Sequence, residues 1–175
     1  MPILLETFGH NLGIIISASH NPSEYNGIKL IDENGSKLQD EIEIEIEANI
    51  ENISLPSAHT SHKESEKGFK VYFEFLNQIL DFDLTNFDLL IDSANGSAYK
   101  IIDELLKDND SKFKMIANEP NGENINLASG ATHTENLIKN LKKGEIGAAF
   151  DGDADRLIMV DENGITCNGD VLILL

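Results

Sequence analysis

Residues 87–107 read FDLLIDSANGSAYKIIDELLK, and this stretch decides the predicted fold class. Its first five residues, 87–91, are apolar at every position except Asp88 and predict a strand. Residues 92–96 are turn formers. Residues 98–107 carry apolar side chains at helical spacing on one side, namely Ile101, Ile102, Leu105 and Leu106. The stretch therefore predicts a strand, a turn and a helix in succession.

The same alternation continues toward the C-terminus. We predict strands at 113–117 and 146–150, with a helix at 134–142 between them and Thr134 as its expected N-cap. Strand, helix, strand, helix and strand in that order predict a parallel sheet with right-handed crossovers. In such a sheet, functional loops lie at the carboxyl ends of the strands.

Shorter elements surround this sheet. Strands are predicted at 12–17, 28–32 and 157–160 from their apolar or alternating patterns, with hairpin turns at 33–35 and 161–164. These patterns extend the predicted fold on both sides of the central unit.

Two helices and a linker complete the prediction. In residues 39–52 the alternation of Ile and Glu favours a strand, whereas the Glu content and Ala48 favour a helix, which we predict. Residues 67–80 have the spacing of an amphipathic helix. Residues 54–66 are polar and predict a linker. We therefore expect an α/β protein with mixed, largely parallel sheets flanked by helices, divided into domains at 1–66 and 67–175.

Composition excludes several classes of partner. The chain has 175 residues, 13 of them basic and 31 acidic, so its formal net charge is −18. It lacks the clustered Lys and Arg that nucleic acids and anionic membranes require, and we expect neither as a partner. Cys167 is the single cysteine, which excludes an intramolecular disulfide and fits a cytoplasmic location. We also expect neither a signal peptide nor a membrane span, because no apolar run approaches roughly 20 residues.

The loop DGDADR at 151–156 has the strongest chemical signal. Asp151, Asp153 and Asp155 are spaced by small residues, and in an extended conformation this spacing puts the three carboxylates on one side. Carboxylates so close repel one another unless a cation joins them, and oxygen ligands suit Mg²⁺, Mn²⁺ or Ca²⁺. Arg156, the only arginine, belongs to a residue type that binds phosphate. A solvated acidic turn is the alternative interpretation.

A serine-rich loop, SASHNP at 17–22, follows a predicted strand. Ser19 beside His20 suggests a hydroxyl that accepts a phosphoryl group while a metal neutralises the charge, and an ordinary turn is the alternative. Lys29 is a candidate phosphate ligand or acid/base, or else a surface lysine on a strand.

Taken together, these motifs resemble a known family. ASHNP at 18–22, YNGIK at 25–29 and DGDADR at 151–156 occur in the order found in the α-D-phosphohexomutase superfamily, and the resemblance covers nearly the whole chain. Similarity to the phosphoglucosamine mutase branch comes from four stretches: ISASHNP at 16–22, DSANGSAYK at 92–100, EPNGENIN at 119–126 and GATH at 130–133.

The resemblance implies a phosphoserine and a metal site. Ser19 would carry the phosphoryl group, and one Mg²⁺ would be bound by an oxygen of that phosphate and by Asp151, Asp153 and Asp155. Three further residues would assist: Arg156 would steady the phosphoryl group in transit, Lys29 would act as acid/base, and His20 would support the serine loop.

The implied reaction interconverts glucosamine 6-phosphate and glucosamine 1-phosphate through a bisphosphate, in amino-sugar nucleotide and cell-wall precursor synthesis. Hexosamine phosphate and its bisphosphate are therefore the expected partners. Phosphomannomutase or phosphoglucomutase activity and a non-catalytic divalent-metal-binding module stay open as alternatives. Because members of the superfamily are longer and have four domains, we expect this chain to be a fragment, comprising the end of the first domain and most of the second, and to be inactive alone.

Overall fold

The computed structural model describes residues 1–50, 52–53, 66–80, 83–167 and 169. The chain divides into two compact units. The first comprises Met1–Ile15 and Ile28–Ile79, and the second comprises Ile16–Gly27 and Leu80–Leu175. The loop that contains Ser19 therefore belongs to the same unit as the DGDADR loop.

The first unit contains helices and most of a two-stranded sheet. Its elements are α1 (Pro2–Phe8), β1 (Leu12–Ser17), β2 (Gly27–Asp32), α2 (Asp40–Ile50) and α3 (Glu66–Ile79), with β1 beside β2. The predicted strands, the helix over 39–52 and the helix over 67–80 are confirmed. Helix α1 was not predicted, although Pro2 at its start and Gly9 in the left-handed region after its end, with φ 63°, are the usual signals of helix termini.

The second unit is built on a five-stranded mixed sheet. Its elements are β3 (Asp88–Asp92), α4 (Ala98–Asp108), β4 (Lys112–Ile116), α5 (Glu135–Asn140), β5 (Glu145–Phe150), β6 (Leu157–Val160) and β7 (Thr166–Cys167). The strand order is β4-β3-β5-β6-β7. Strand β3 pairs in parallel with β4 and β5, which confirms the predicted parallel arrangement of these three strands. Strands β6 and β7 extend the sheet in the antiparallel sense through the predicted hairpin turn at 161–164.

The core of this unit lies on both faces of the sheet. On one face Leu90 and Ala149 pack with Leu137 of α5 and with Val160. On the other face Leu89, Ile91 and Ala148 pack against Ile102 and Leu106 of α4. Alternate residues of β3 thus enter opposite layers, which explains why its three central residues, Leu89, Leu90 and Ile91, are all apolar.

Several details differ from the sequence prediction. Helix α5 is shorter than the predicted 134–142, and Thr134 is its N-cap residue but forms no side-chain capping bond. Strand β7 has only two residues, too few to produce a pattern. The predicted linker at 54–66 lies almost wholly outside the described residues. Within the described part of the chain, none of the helices has the length and apolar character needed to cross a membrane.

Candidate functional site

The candidate site begins where two parallel strands end. Asp92 of β3 is level with Ala149 of β5 in the sheet register. The segments that follow them therefore leave the sheet at the same edge. The backbone N–H of Ser97 donates a 2.9 Å hydrogen bond to the carbonyl oxygen of Gly152, which joins the turn after β3 to the acidic loop after β5.

The acidic loop brings its three carboxylates together by turning. The N–H of Ala154 donates to the carbonyl oxygen of Asp151 at 3.0 Å, and Ala154 has φ 61°. One carboxylate oxygen from each of Asp151, Asp153 and Asp155 lies within 4.8 Å of the others. The three carboxylates are therefore clustered, as predicted, and the cluster forms through a turn at Ala154 rather than along an extended segment.

Asp151 is the buried member of this cluster. Its Oδ1 accepts a 3.1 Å hydrogen bond from the backbone N–H of Arg156, whereas its buried Oδ2 has no hydrogen-bond partner. Burial raises the pKa of the Asp151 carboxyl, the N–H of Arg156 opposes this, and the charges of Asp153 and Asp155 raise it further. A divalent cation bound beside Asp151 Oδ2 would balance the negative charge of this buried oxygen, which has no hydrogen-bond partner. Three carboxylates are the hard oxygen donors that Mg²⁺ prefers, so the residues present fit the ion.

The Ser19 loop holds its serine in an unusual conformation. Ser19 has φ 52°, in the left-handed region that costs a non-glycine residue about 1 kcal/mol. The hydroxyl oxygen of Ser17 accepts a 2.9 Å hydrogen bond from the N–H of Ser19. The half-buried Ser19 places its Oγ 3.3 Å from Nδ1 of the exposed His20. The two residues predicted to act together in this loop are thus neighbours in space.

The Ser19 loop and the acidic loop are in contact. A Cβ atom at Gly152 would collide with the carbonyl oxygen of Ser19 and would lie 2.8 Å from Nδ2 of Asn126. Only glycine therefore fits between the two loops. This close approach of Gly152 to Ser19 places the predicted phosphorylation site beside the predicted metal ligands.

The predicted basic residues lie in different places. The side chain of Arg156 is half-exposed, and its Nε is 3.9 Å from carboxylate oxygens of both Asp151 and Asp155. Lys29 is exposed on β2, and this part of β2 belongs to the first unit. The second unit thus brings together Ser19, His20, Arg156 and the three carboxylates, while the role of Lys29 stays a prediction.

Two buried polar residues of the site were not predicted. Asp92 is fully buried, its Oδ1 accepts a 2.9 Å hydrogen bond from the N–H of Ala94, and its Oδ2 has no hydrogen-bond partner. Burial raises the pKa of the Asp92 carboxyl. Asn126 donates hydrogen bonds to the Ser19 loop. The signal for Asn126 was present in the NIN stretch at 124–126, which was used only for the family resemblance.

Comparison with known proteins gives matches over most of the chain. Two family models match: phosphoglucomutase/phosphomannomutase alpha/beta/alpha domain I over residues 1–57, and domain II of the same family over residues 70–164. The phosphoglucosamine mutase of Clostridium tetani (strain Massachusetts / E88) is 42% identical over 180 residues, which cover 98% of this chain and 40% of that protein. The chain thus spans about 40% of the length of the curated relatives it matches.

Solved structures with the same fold come from the same group of proteins. A phosphoglucomutase/phosphomannomutase family protein from Burkholderia thailandensis has a TM-score of 0.68 and 27% identity, covering 89% of this chain and 34% of the other. The N-acetylphosphoglucosamine mutase of Aspergillus fumigatus, in complex with GlcNAc-6P and magnesium, has a TM-score of 0.56 and 18% identity. This match covers 89% of this chain and 45% of that protein.

Proposed function

Since the chain belongs to the phosphoglucomutase/phosphomannomutase family, we propose that it is the phosphoserine- and metal-binding part of a phosphosugar mutase of the phosphoglucosamine mutase type. The motif resemblance to this superfamily is thereby confirmed. The observation that carries the proposal is the contact between Gly152 in the acidic loop and Ser19 in the serine loop. This contact supports the proposal because it brings the proposed nucleophile and the proposed cation-binding cluster together in one unit.

In the proposed reaction, Ser19 carries a phosphoryl group that it exchanges with a hexosamine phosphate. The bond between Ser19 Oγ and phosphorus breaks while a bond from a sugar hydroxyl oxygen to phosphorus forms, and the proton of that hydroxyl passes to the proposed base, Lys29. The resulting bisphosphate reorients. Its other phosphoryl group then returns to Ser19, and Lys29 gives its proton back to the sugar oxygen that is released.

The acidic loop would bind the cation that this reaction needs. Asp151, Asp153 and Asp155 would hold one Mg²⁺ together with an oxygen of the phosphate on Ser19, and the bound ion neutralises charge on a transferring phosphoryl group. Burial raises the pKa of the Asp151 carboxyl, and a bound cation would favour its charged form.

Arg156 and His20 would assist Ser19. The guanidinium of Arg156 would bind the non-bridging oxygens of the phosphoryl group, because its fork of donors matches them. Its position near the carboxylates of the loop keeps it beside the proposed metal. His20, with Nδ1 at 3.3 Å from Ser19 Oγ, would fix the orientation of the hydroxyl.

The acidity of the chain restricts how an anionic sugar phosphate is attracted. With a formal net charge of −18, the whole-chain field repels such a substrate, so attraction has to be local. We propose that the cation, Lys29 and Arg156 provide it. The proposed domains, 1–66 with the phosphoserine loop and 67–175 with the metal loop, agree with the ranges of the two family models, 1–57 and 70–164. The division into compact units differs, because it groups Ile16–Gly27 with the later residues.

The test is phosphorylation of the 175-residue chain by sugar bisphosphates. The chain is incubated with Mg²⁺ and either glucosamine 1,6-bisphosphate or glucose 1,6-bisphosphate, and the modified residue is mapped by tandem mass spectrometry. We expect one phosphate on Ser19, none there in Ser19→Ala, and a phosphate still on Ser19 in the matched control Ser17→Ala, which tests whether the neighbouring hydroxyl is modified instead. Only the position of the phosphate is compared in this control, because the Ser17 oxygen accepts a hydrogen bond from Ser19 N–H and its loss can change the rate.

The outcomes separate the candidate functions. Faster transfer from the glucosamine compound supports the phosphoglucosamine type, and faster transfer from the glucose compound supports phosphoglucomutase or phosphomannomutase. Binding of Mg²⁺ without any phosphorylation would favour a non-catalytic metal-binding module and would overturn the proposal.

A further inference from the structure

We propose that Asn126 is a positioning residue, which fixes the backbone of the Ser19 loop against the acidic loop. The proposal rests on the proposed function, because it gives Asn126 a part in phosphoryl transfer at Ser19. Its structural basis is a pair of hydrogen bonds that link segments far apart in the sequence.

The side-chain amide of Asn126 bridges two carbonyl groups of the serine loop. Its Nδ2 donates a 2.8 Å hydrogen bond to the carbonyl oxygen of Ser19 and another of 2.8 Å to that of Asn21. Both hydrogens of the amide are therefore used on the residues that flank His20. The orientation of the amide is also determined, because an oxygen in place of Nδ2 would face two carbonyl oxygens.

Asn126 is itself held rigidly. Its backbone N–H donates to the carbonyl oxygen of Ala94 at 2.8 Å, which ties it to the turn after β3. It is 6% exposed and has φ 58°, a conformation that asparagine tolerates better than most residues. Asparagine therefore satisfies both the backbone conformation and the need for two donors.

The same amide group also contacts the acidic loop. A Cβ at Gly152 would lie 2.8 Å from Nδ2 of Asn126, so the amide packs against the backbone between Asp151 and Asp153. Asn126 thus contacts the loop of the nucleophile and the loop of the metal ligands at once. Without these two hydrogen bonds, the left-handed backbone of Ser19 would lose support and the Ser19 loop could shift. A displacement of the reacting group by about 1 Å is enough to lower a transfer rate about 100-fold.

The test compares two variants with a matched control. Asn126→Asp keeps the size and the backbone preference but replaces the donating amide by an acceptor, and Asn126→Gly removes the side chain while allowing the left-handed backbone. The control is Asn109→Asp, which removes a 2.8 Å hydrogen bond from Nδ2 to the carbonyl oxygen of Leu105 at the far end of α4. All three are made in the 175-residue chain, and thermal unfolding is measured for each.

The first readout is the rate of Ser19 phosphorylation by glucose 1,6-bisphosphate with saturating Mg²⁺. We expect a fall of about 10- to 100-fold in both Asn126 variants, with Mg²⁺ affinity within about threefold of the parent chain. The control, Asn109→Asp, should be phosphorylated on Ser19 at the rate of the parent chain, even if its unfolding temperature falls as much as that of the Asn126 variants. A parent rate in Asn126→Asp, or an equal loss in Asn109→Asp, would overturn the positioning role.

The second readout does not depend on phosphorylation. Addition of Mg²⁺ to the parent chain should shift the amide NMR signals of Ser19 and Asn21 as well as those of the acidic loop, because Asn126 links them. In Asn126→Asp the acidic-loop shifts should persist, and the serine-loop shifts should become much smaller, leaving only the effect carried by the direct contact of Gly152 with Ser19. Serine-loop shifts as large as those of the parent chain would overturn the proposal, whereas absence of phosphorylation in the parent chain would count against the proposed function alone.

Discussion

Gly96 lies so close to Gly152 that a Cβ atom at Gly96 would be 2.7 Å from the Cα of Gly152 and 2.9 Å from its carbonyl carbon. Real Cβ atoms essentially never approach other heavy atoms this closely. The neighbouring Ser97 N–H donates to the carbonyl oxygen of Gly152 at 2.9 Å. The turn after β3 and the acidic loop are therefore fitted together through their backbones.

This fit predicts the effect of a methyl group at Gly96. Gly96→Ala should lower stability by about 1–3 kcal/mol, as overpacking does, and should weaken Mg²⁺ binding because the acidic loop has to move. Calorimetric titration with Mg²⁺ and denaturant unfolding would measure both effects. The control is Gly27→Ala, where the new Cβ would meet only the carbonyl oxygen of Ser17 at 3.7 Å, an ordinary contact. Equal Mg²⁺ affinity in Gly96→Ala and in the parent chain would show that the acidic loop does not depend on this fit.

Removing a carboxylate of the acidic loop should weaken cation binding more than removing an acidic side chain elsewhere on the surface. Asp155→Asn removes one charged side chain from the proposed metal-binding cluster of three and should weaken Mg²⁺ binding by about tenfold or more, because Mg²⁺ depends on charged oxygen donors. Glu162→Gln, in the exposed hairpin turn after β6, removes the same charge and should leave the affinity unchanged. Calorimetric titration of both variants with Mg²⁺ at one ionic strength would measure the two affinities. An equal loss of affinity in the two variants would contradict the prediction, because it would mean that Mg²⁺ is held only by general electrostatic attraction.

The buried carboxyl of Asp92 predicts a pH dependence of stability. Burial raises its folded-state pKa above the ordinary 3.8, so the folded chain binds this proton more readily than the unfolded chain does. Between the ordinary and the raised pKa, the contribution of Asp92 to the free energy of unfolding should therefore fall as pH rises. In Asp92→Asn this component should vanish, which denaturant unfolding at a series of pH values would reveal. A difference between parent and variant that does not change with pH would contradict the expectation.

Much of the architecture follows from local patterns. The apolar run of β3 and the helical spacing in α4 are properties of short segments, and their alternation along the chain sets the parallel core of the sheet. Parallel strands also place their following loops at one edge, which is why Asp92 and the acidic loop could be expected to meet. The family motifs added the expected roles of Ser19 and Asp151.

The remaining features depend on contacts that no short segment encodes. The bond from Asn126 to Ser19 joins residues 107 positions apart, and the NIN stretch at 124–126, although part of the family resemblance, does not indicate which residues Asn126 contacts. Ser19 and Ala154 adopt left-handed conformations that their residue types do not favour, so the local sequence gives no signal for them. Strand β7 exists because β6 offers it an edge to pair with.

The most direct test of the central claim is the Mg²⁺ affinity of the 175-residue chain with phosphoserine incorporated at position 19, compared with the chain carrying unmodified Ser19. If Ser19 and the acidic loop form one site, an oxygen of the phosphate joins the cation and the affinity should rise about tenfold, which corresponds to about 1.4 kcal/mol. The increase should be lost in Asp151→Asn. Equal affinities of the phosphorylated and unmodified chains would contradict the claim that the two loops bind one cation together.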